Sequence, residues 1–137
     1  MLLAGLAAGV AGFLAGWVLF GMLLMGYYEA NMISYEGLMK GEGEMNLGVL
    51  FLGNVFFGLL LSWAAWRMGA TNAMGGLRTG LVIGVLVYAS MAMMFYSMWN
   101  LYANATAMVV DVLANTAWAG IMGLVAGLVL GMGKKAA

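Results

Sequence analysis

With 137 residues, of which 66% are hydrophobic and 7% charged, the chain is too apolar for a water-soluble domain, where about a quarter of the residues are charged. Its formal net charge is zero and its few basic residues form no patch, which argues against a nucleic-acid-binding protein. Cysteine and histidine are absent, so thiol chemistry and the commonest general base are excluded.

Long uncharged runs predict membrane-spanning helices, because a hydrocarbon core about 30 Å thick needs roughly 20 apolar residues per helix. The first run lacks the basic flank of a secretory signal and is long enough to span. A polar segment at 100–106, which contains Asn and Thr, divides the last apolar region into two helices. We therefore predict an all-α integral membrane four-helix bundle, one transmembrane domain over 1–137, with spans near 3–28, 46–68, 80–101 and 107–132, an outer loop at 29–45 and an inner loop at 69–79.

The distribution of charge predicts the orientation of these spans. The loop 29–45 holds four acidic residues and one basic residue, namely Glu29, Glu36, Glu42, Glu44 and Lys40. The opposite side holds only basic residues, namely Arg67, Arg78, Lys134 and Lys135. By the positive-inside rule, both termini lie in the cytoplasm and the acidic loop lies outside. Aromatic residues are predicted to ring the two interfaces: Tyr27, Tyr28, Tyr35, Trp99 and Tyr102 outside, Trp63 and Trp66 inside.

Two sequence patterns recur in the two halves of the chain. Met22-x-x-Met25-x-Tyr27-x-x-x-Asn31 recurs as Met91-x-x-Met94-x-Tyr96-x-x-x-Asn100, and Gly53-Asn54-x-x-Phe57-Gly58 resembles Ala114-Asn115-x-x-Trp118-Ala119. Each half holds two spans, so both halves share one orientation. The patterns predict two parallel-repeat helical hairpins around a pseudo-twofold axis along the membrane normal. Coincidence in an apolar chain of low diversity is the alternative interpretation.

Glycine spacing predicts where the helices pack. Lipid tails are as apolar as Leu, so membrane helices associate through close contact at small residues. Two such faces could meet each other or could face a second subunit. Spacings of three and four residues place the glycines of the first and last spans on one face each: Gly5, Gly9, Gly12 and Gly16, then Gly120, Gly123, Gly127 and Gly131.

Asp111 is the one charged residue between positions 80 and 133, and an acidic residue within a span is a functional-site candidate by default. Asn115 follows four residues later on the same helix face, and we expect both side chains to converge toward the bundle interior. One interpretation is a polar pocket that binds a small cation or polar solute. The other is a hydrogen-bonded cluster that only fixes helix packing. Further candidates in the same outer half are Asn54, Asn31, Asn100, Tyr27 and Tyr96.

The 15 Met residues raise the question of a Cu(I) site, since thioethers are soft ligands. Without Cys or His beside them, flexible apolar filling is the preferred interpretation. No carboxylate pair or Ser–His arrangement predicts catalysis, and neither metal nor cofactor is expected. We expect a non-enzymatic polytopic membrane protein that acts in the lipid bilayer through helix packing, as a homo-oligomer or as a small subunit of a membrane assembly. A small cation or polar-solute transporter or channel centred on Asp111 is the alternative.

The last span contains Val109-Val110-Asp111-Val112-Leu113-Ala114-Asn115, followed by Met122-Gly123 and Gly127-Leu128-Val129-Leu130-Gly131. The first span contains Gly16-Trp17 and ends near Gly26-Tyr27-Tyr28. These segments resemble a family of small bacterial four-helix integral membrane proteins known as a domain of unknown function. The resemblance implies a fold of four membrane helices and supplies no activity. We predict that the protein resides in the bacterial inner (cytoplasmic) membrane.

Overall fold

A computed structural model describes residues 1–41 and 43–135, and these residues are helical apart from short connections. Four helical stretches are long and apolar enough to cross a membrane, namely Leu2–Leu23, Leu47–Arg67, Ala73–Met98 and Ala105–Gly133. The predicted all-helical chain with four long apolar helices is confirmed. The elements in chain order are α1 (Leu2–Val18), a π-helical turn (Leu19–Leu23), α2 (Met25–Asn31), α3 (Leu47–Arg67), α4 (Ala73–Met98) and α5 (Ala105–Lys135).

Asparagine caps determine where three of the long helices begin. The side chains of Asn46, Asn72 and Asn104 each accept a hydrogen bond from the backbone N–H three residues later, at 3.1, 2.7 and 2.8 Å. Such caps satisfy a backbone donor that has no partner within the first helical turn. They therefore place the starts of α3, α4 and α5 directly after short polar segments.

The connection between α3 and α4 is shorter than the predicted loop 69–79. Gly69, with φ of +70°, terminates α3, and the N–H of Ala70 donates to the carbonyl oxygen of Ala65 at 2.8 Å. This is a Schellman arrangement, in which a left-handed glycine lets the chain leave the helix at once. The connection consequently covers only 68–72, and Arg78 lies within α4 instead of in a loop.

The first span ends earlier than its uncharged run. Residues Leu19–Leu23 form a π-helical turn, and the backbone bends at Leu24, where φ is −104° and ψ is −1°. Insertions of this kind redirect a helix without a proline, which the chain lacks. The short helix α2 therefore leaves the direction of α1 and carries Tyr28 toward α5.

Glycine contacts hold α4 against α5. A Cβ atom at Gly76 would collide with the carbonyl oxygen of Gly123, and one at Gly80 would collide with the carbonyl oxygen of Ala119. Gly127 in turn faces the backbone of Gly76. The two backbones touch directly, as small residues permit in membrane helices. Gly123 and Gly127 thus pack within the chain against α4 glycines, which were not among the predicted packing residues.

The glycines of α1 contact two other helices. A Cβ at Gly58 of α3 would collide with the backbone of Gly5 and Gly9. One turn and two turns further along α1, Gly12 and Gly16 face side chains of α5, namely Met122 and Trp118. The predicted glycine faces of the first and last spans therefore do not meet glycine to glycine. Each is occupied by another helix of the same chain.

The middle of the bundle is filled by apolar side chains. Ala8, Leu61, Met122 and Ala126 form a buried cluster. Phe57 and Trp118 pack against this cluster and stack on each other, with ring centres 5.3 Å apart. Tyr88 meets both rings edge-on, with its ring centre 5.9 Å from that of Phe57 and 6.2 Å from that of Trp118. We call Phe57, Tyr88 and Trp118 the aromatic trio; it joins α3, α4 and α5.

Two connections meet at one end of the bundle, which we call the acidic end: residues 32–46 and 99–104. The N–H of Ile33 donates to the carbonyl oxygen of Leu101 at 2.8 Å, and the N–H of Ala103 donates to that of Asn31 at 2.9 Å. These bonds form an isolated antiparallel bridge between Met32 and Tyr102. The opposite, basic end holds the 68–72 turn and both ends of the described chain. Glu42, predicted to face outside, lies outside the described residues.

Candidate functional site

Asp111 lies in the second turn of α5, near the acidic end, and is the centre of a hydrogen-bonded group. Its Oδ1 accepts a hydrogen bond from the Tyr28 hydroxyl at 2.7 Å, and its Oδ2 accepts one from the Tyr102 hydroxyl at 2.7 Å. Asn115 donates from Nδ2 to the same Oδ1 at 3.0 Å. We call Asp111, Asn115, Tyr28 and Tyr102 the Asp111 cluster. The predicted neighbours Asp111 and Asn115 are brought together.

Each member of the Asp111 cluster is positioned by a separate local feature. Asn115 sits one helical turn after Asp111, and its Nδ2 also donates to the Asp111 carbonyl oxygen at 2.9 Å. Tyr28 reaches the carboxyl group because α2 is turned away from the line of α1. Tyr102 is held by the backbone bridge to Met32. The carboxyl group thereby ties together three stretches of chain.

The electrostatics of the cluster follow from its donors. A carboxylate offers acceptors only, and here both oxygens receive hydrogen bonds from O–H or N–H groups. Burial raises the pKa of Tyr102 well above its ordinary value, and the hydrogen bond to Asp111 raises it further. The same two causes raise the pKa of Tyr28. Both phenols therefore keep the protons that they donate.

The other predicted members of the polar site do not bond to Asp111. Asn54 is buried on α3, where its Nδ2 donates to the carbonyl oxygen of Leu50 at 2.8 Å. Its Oδ1 is buried without a hydrogen-bond partner. Asn31 donates to the carbonyl oxygen of Tyr27 at 3.0 Å. The side-chain N–H groups of these two asparagines thus donate within their own helices.

Three further candidates lie around the cluster instead of in it. Asn100 is exposed, and its carbonyl oxygen accepts the Tyr35 hydroxyl at 2.6 Å. The exposed ring of Tyr96 lies against the ring of Tyr102, with centres 6.5 Å apart. The ring of Tyr27 meets that of Tyr28 edge-on at 6.3 Å. These rings flank the two phenols that hold the carboxyl group.

Tyr28 and Tyr102 were not among the predicted site residues. Both were predicted to ring the outer interface, yet Tyr102 is buried and both hydroxyls bond to Asp111. Their position along the bundle could have identified them, because both tyrosines were predicted to lie near the interface closest to Asp111. A carboxyl group in a span needs donors, and tyrosines near the same interface are the side chains that can supply them.

The Met residues of the two recurring sequence patterns do not lie in the interior of the bundle. Met22, Met25, Met91 and Met94 are all exposed on the surface of the bundle. Within the described residues, no three Asp or Glu side chains gather in a group that could hold a metal ion. Because these four side chains are exposed, they do not fill gaps inside the bundle, and the predicted filling role is not visible at these positions.

The interior beyond the Asp111 cluster is closed. Trp118 follows Asp111 by two turns of α5, and it stacks on Phe57 of α3. Its indole N–H donates to the carbonyl oxygen of Gly12 at 2.7 Å. Next along the bundle, Leu61 and Met122 have no exposed surface. The carboxyl group thus lies above a packed apolar core.

The geometry of the Asp111 cluster can accept hydrogen bonds and brace helices. The chain matches no family model, no curated protein and no solved structure.

Proposed function

We propose that this chain is a non-enzymatic polytopic membrane protein that acts through helix packing, as a homo-oligomer or as a small subunit of a larger membrane assembly. One observation carries the proposal: Asp111, the functional candidate of its span, has both carboxyl oxygens occupied by donors of the same chain. A group engaged in this way braces the bundle. The resemblance to a four-helix family of unknown function remains a prediction.

The surface of the bundle supports residence in a membrane. Large apolar side chains are exposed along every long helix, which is unfavourable in water and favourable in lipid. Trp63 and Trp66 are exposed toward the basic end, whereas Trp99 and Tyr35 are exposed at the acidic end. Aromatic side chains at two levels match the two interfaces of a bilayer. With basic residues at the other end, this supports cytoplasmic termini in a bacterial inner membrane.

Two contacts support the internal repeat. Phe57 and Trp118 occupy equivalent positions in the two halves, and they stack on each other at 5.3 Å. Equivalent residues that touch lie on the axis that relates them. At the acidic end, the antiparallel bridge between Met32 and Tyr102 joins the segments that follow the first and third spans. An antiparallel pair is itself twofold symmetric, so both contacts fit one pseudo-twofold axis.

The acidic-end turns of α3 are the surface best suited to a partner helix. From Leu47 to Gly53, every residue except Phe51 is exposed, whereas the later turns of α3 pack against α1. A Cβ at Gly53 would meet nothing within 4 Å. A glycine that is open toward lipid lets a second helix approach closely. We assign this face to the contact with another membrane helix.

We expect Gly53→Leu to abolish assembly while leaving the chain folded, because the new side chain blocks that face and its Cβ has no atom of its own chain within 4 Å. Native mass spectrometry in mild detergent measures the assembly state, and circular dichroism measures the fold. Gly133→Leu, at another open glycine, is the matched control and should assemble like the wild type. A wild-type chain that is monomeric and crosslinks to no membrane partner would contradict the proposal.

Transport of a small cation or polar solute is the second candidate function. The buried Oδ1 of Asn54, which has no hydrogen-bond donor, favours it. The closed interior beyond the aromatic trio argues against a path through one chain.

The two functions differ in their response to Asp111→Asn. A transporter should lose cation flux into proteoliposomes on this substitution while its melting temperature is kept. Our proposal expects no flux above empty liposomes for either protein and a lower melting temperature for the variant. Sodium flux read with an entrapped indicator, and melting in detergent, decide between them.

A further inference from the structure

The segment 32–41, which we call the docked loop, is folded onto the end of α4. The Ile33 N–H donates to the Leu101 carbonyl oxygen at 2.8 Å, and the Tyr35 hydroxyl donates to that of Asn100 at 2.6 Å. The loop is therefore held at two points against residues that directly follow the third span.

The docked loop presents exposed apolar side chains. Gly37, with φ of +78°, makes the turn that precedes Leu38 and Met39. Met39 is 81% exposed, and Trp99 beside it is 60% exposed. Together they border an open groove of about 660 Å³ lined by Tyr35, Leu38, Met39, Trp99, Asn100 and Leu101. In a short loop that also carries charge, this is an unusual concentration of exposed apolar surface.

We propose that the docked loop and its groove are inserted into the lipid leaflet at the acidic end, where the groove holds the upper acyl chain and glycerol region of a phospholipid. The inference rests on the proposed membrane location. It assigns an anchoring role to a loop that the sequence predicts to be an aqueous connection.

The position of the groove at the end of α4 indicates that a lipid occupies it. Trp99 follows Met98, the last residue of the third span, and both side chains are exposed, so the groove begins where the apolar surface of α4 ends. At this level the hydrocarbon gives way to headgroups, which is where Trp and Tyr rings are enriched. Apolar groups in that zone lie several ångströms below the headgroups, as in interfacial anchors.

Charge defines the kind of lipid. Glu36 and Lys40 flank the apolar tip, and the nearby acids Glu29 and Glu44 leave an excess of negative charge among the described residues. Anionic headgroups are repelled by such a surface, because like charges interact unfavourably within a Debye length. The occupant is therefore a zwitterionic phospholipid.

Spin labels at single cysteines test the inference, since the chain has no native Cys. The test position is Met39→Cys. Leu86→Cys, on the exposed side of α4, reports on the spanning helices, and Gly43→Cys, in open space, reports on water. Each protein is placed as a single chain in a phosphatidylcholine nanodisc, which removes any second copy. Accessibility to oxygen and to a water-soluble nickel chelate is then measured.

We expect the label at Met39 to be severalfold less accessible to nickel than the label at Gly43, and shallower than the label at Leu86. A Met39 label as accessible as the Gly43 label, with Leu86 protected, overturns the lipid anchor and leaves the membrane location intact. Nickel access at Leu86 instead overturns the membrane location itself. Deeper insertion of Met39 in phosphatidylglycerol overturns the assignment to zwitterionic lipid.

Discussion

Replacing Gly76 by Ala should separate α4 from α5, whereas replacing Gly53 by Ala should leave the fold unchanged. A Cβ at Gly76 would collide with the carbonyl oxygen of Gly123 and crowd the backbone of Gly127. Because the obstructing atoms belong to the backbone, no side-chain rotation can relieve the collision. The helices must move apart, and the contacts along their whole shared face weaken.

The expected loss is about 3 kcal/mol or more in free energy of unfolding, the upper part of the range for overpacked interiors. The better helix propensity of Ala offsets at most about 1 kcal/mol of this. Reversible unfolding in mixed micelles, followed by circular dichroism, measures the difference. Gly53→Ala adds the same methyl group to a helix where nothing lies within 4 Å. Equal stability of the two variants would contradict the close backbone contact.

Removing the carboxyl group of Asp111 should have the second largest effect. Asp111→Leu leaves the hydroxyls of Tyr28 and Tyr102 and the amide of Asn115 without their acceptor. Side-chain hydrogen bonds in membrane proteins contribute about 0.6 kcal/mol on average, but bonds to charged groups reach about 1.5–3 kcal/mol. We expect a loss of about 3 kcal/mol for Asp111→Leu and about 1–2 kcal/mol for Tyr102→Phe on these grounds.

A double-mutant cycle distinguishes bracing from general loss of packing. If the Tyr102 hydroxyl acts through Asp111, Tyr102→Phe should change little in a chain that already carries Asp111→Leu. Tyr96→Phe is the matched control, because that ring lies beside Tyr102 and is exposed. Additive effects of Asp111→Leu and Tyr102→Phe would show that the bond contributes nothing to stability.

The four long helices were predictable because a helix that crosses a bilayer needs an uninterrupted run of about 20 apolar residues. Their boundaries were less so. Arg78 placed the predicted start of the third span near residue 80, yet Asn72 caps the helix and α4 begins at Ala73. A long cationic side chain near a span end can extend to the interface, so its position does not mark the end of a helix. The π-helical turn at Leu19–Leu23 has no comparable signal in composition.

The part of the candidate site that lies within a single helix was predictable from the sequence. Asp111 and Asn115 are neighbours by helical periodicity alone. Tyr28 is 83 residues from Asp111, and its contact depends on how α2 is turned, which no single-helix pattern encodes. Asn54 occupies the position in its repeat pattern that Asn115 occupies in the other, but Leu50 stands where Asp111 would, so no carboxyl group gathers donors around it. The contact between α4 and α5 glycines likewise depends on how two helices pack, so the spacing within one helix does not predict it.

The last helix, α5, contacts elements from every earlier part of the chain, which has a consequence for biosynthesis. Trp118 bonds to Gly12 of the first span, Asp111 bonds to Tyr28, and the α5 glycines occupy the open face of α4. α1 and α3 pack against each other directly at Gly5, Gly9 and Gly58, but the contacts that hold α4 and Tyr28 in place form only once α5 has been made. A chain truncated before α5 exposes Gly76 and Gly80 and leaves the Tyr28 hydroxyl without its acceptor. Only a chain that contains α5 can therefore form this interior, and an incomplete chain differs from the folded bundle in its exposed glycine backbone and its unpaired hydroxyl.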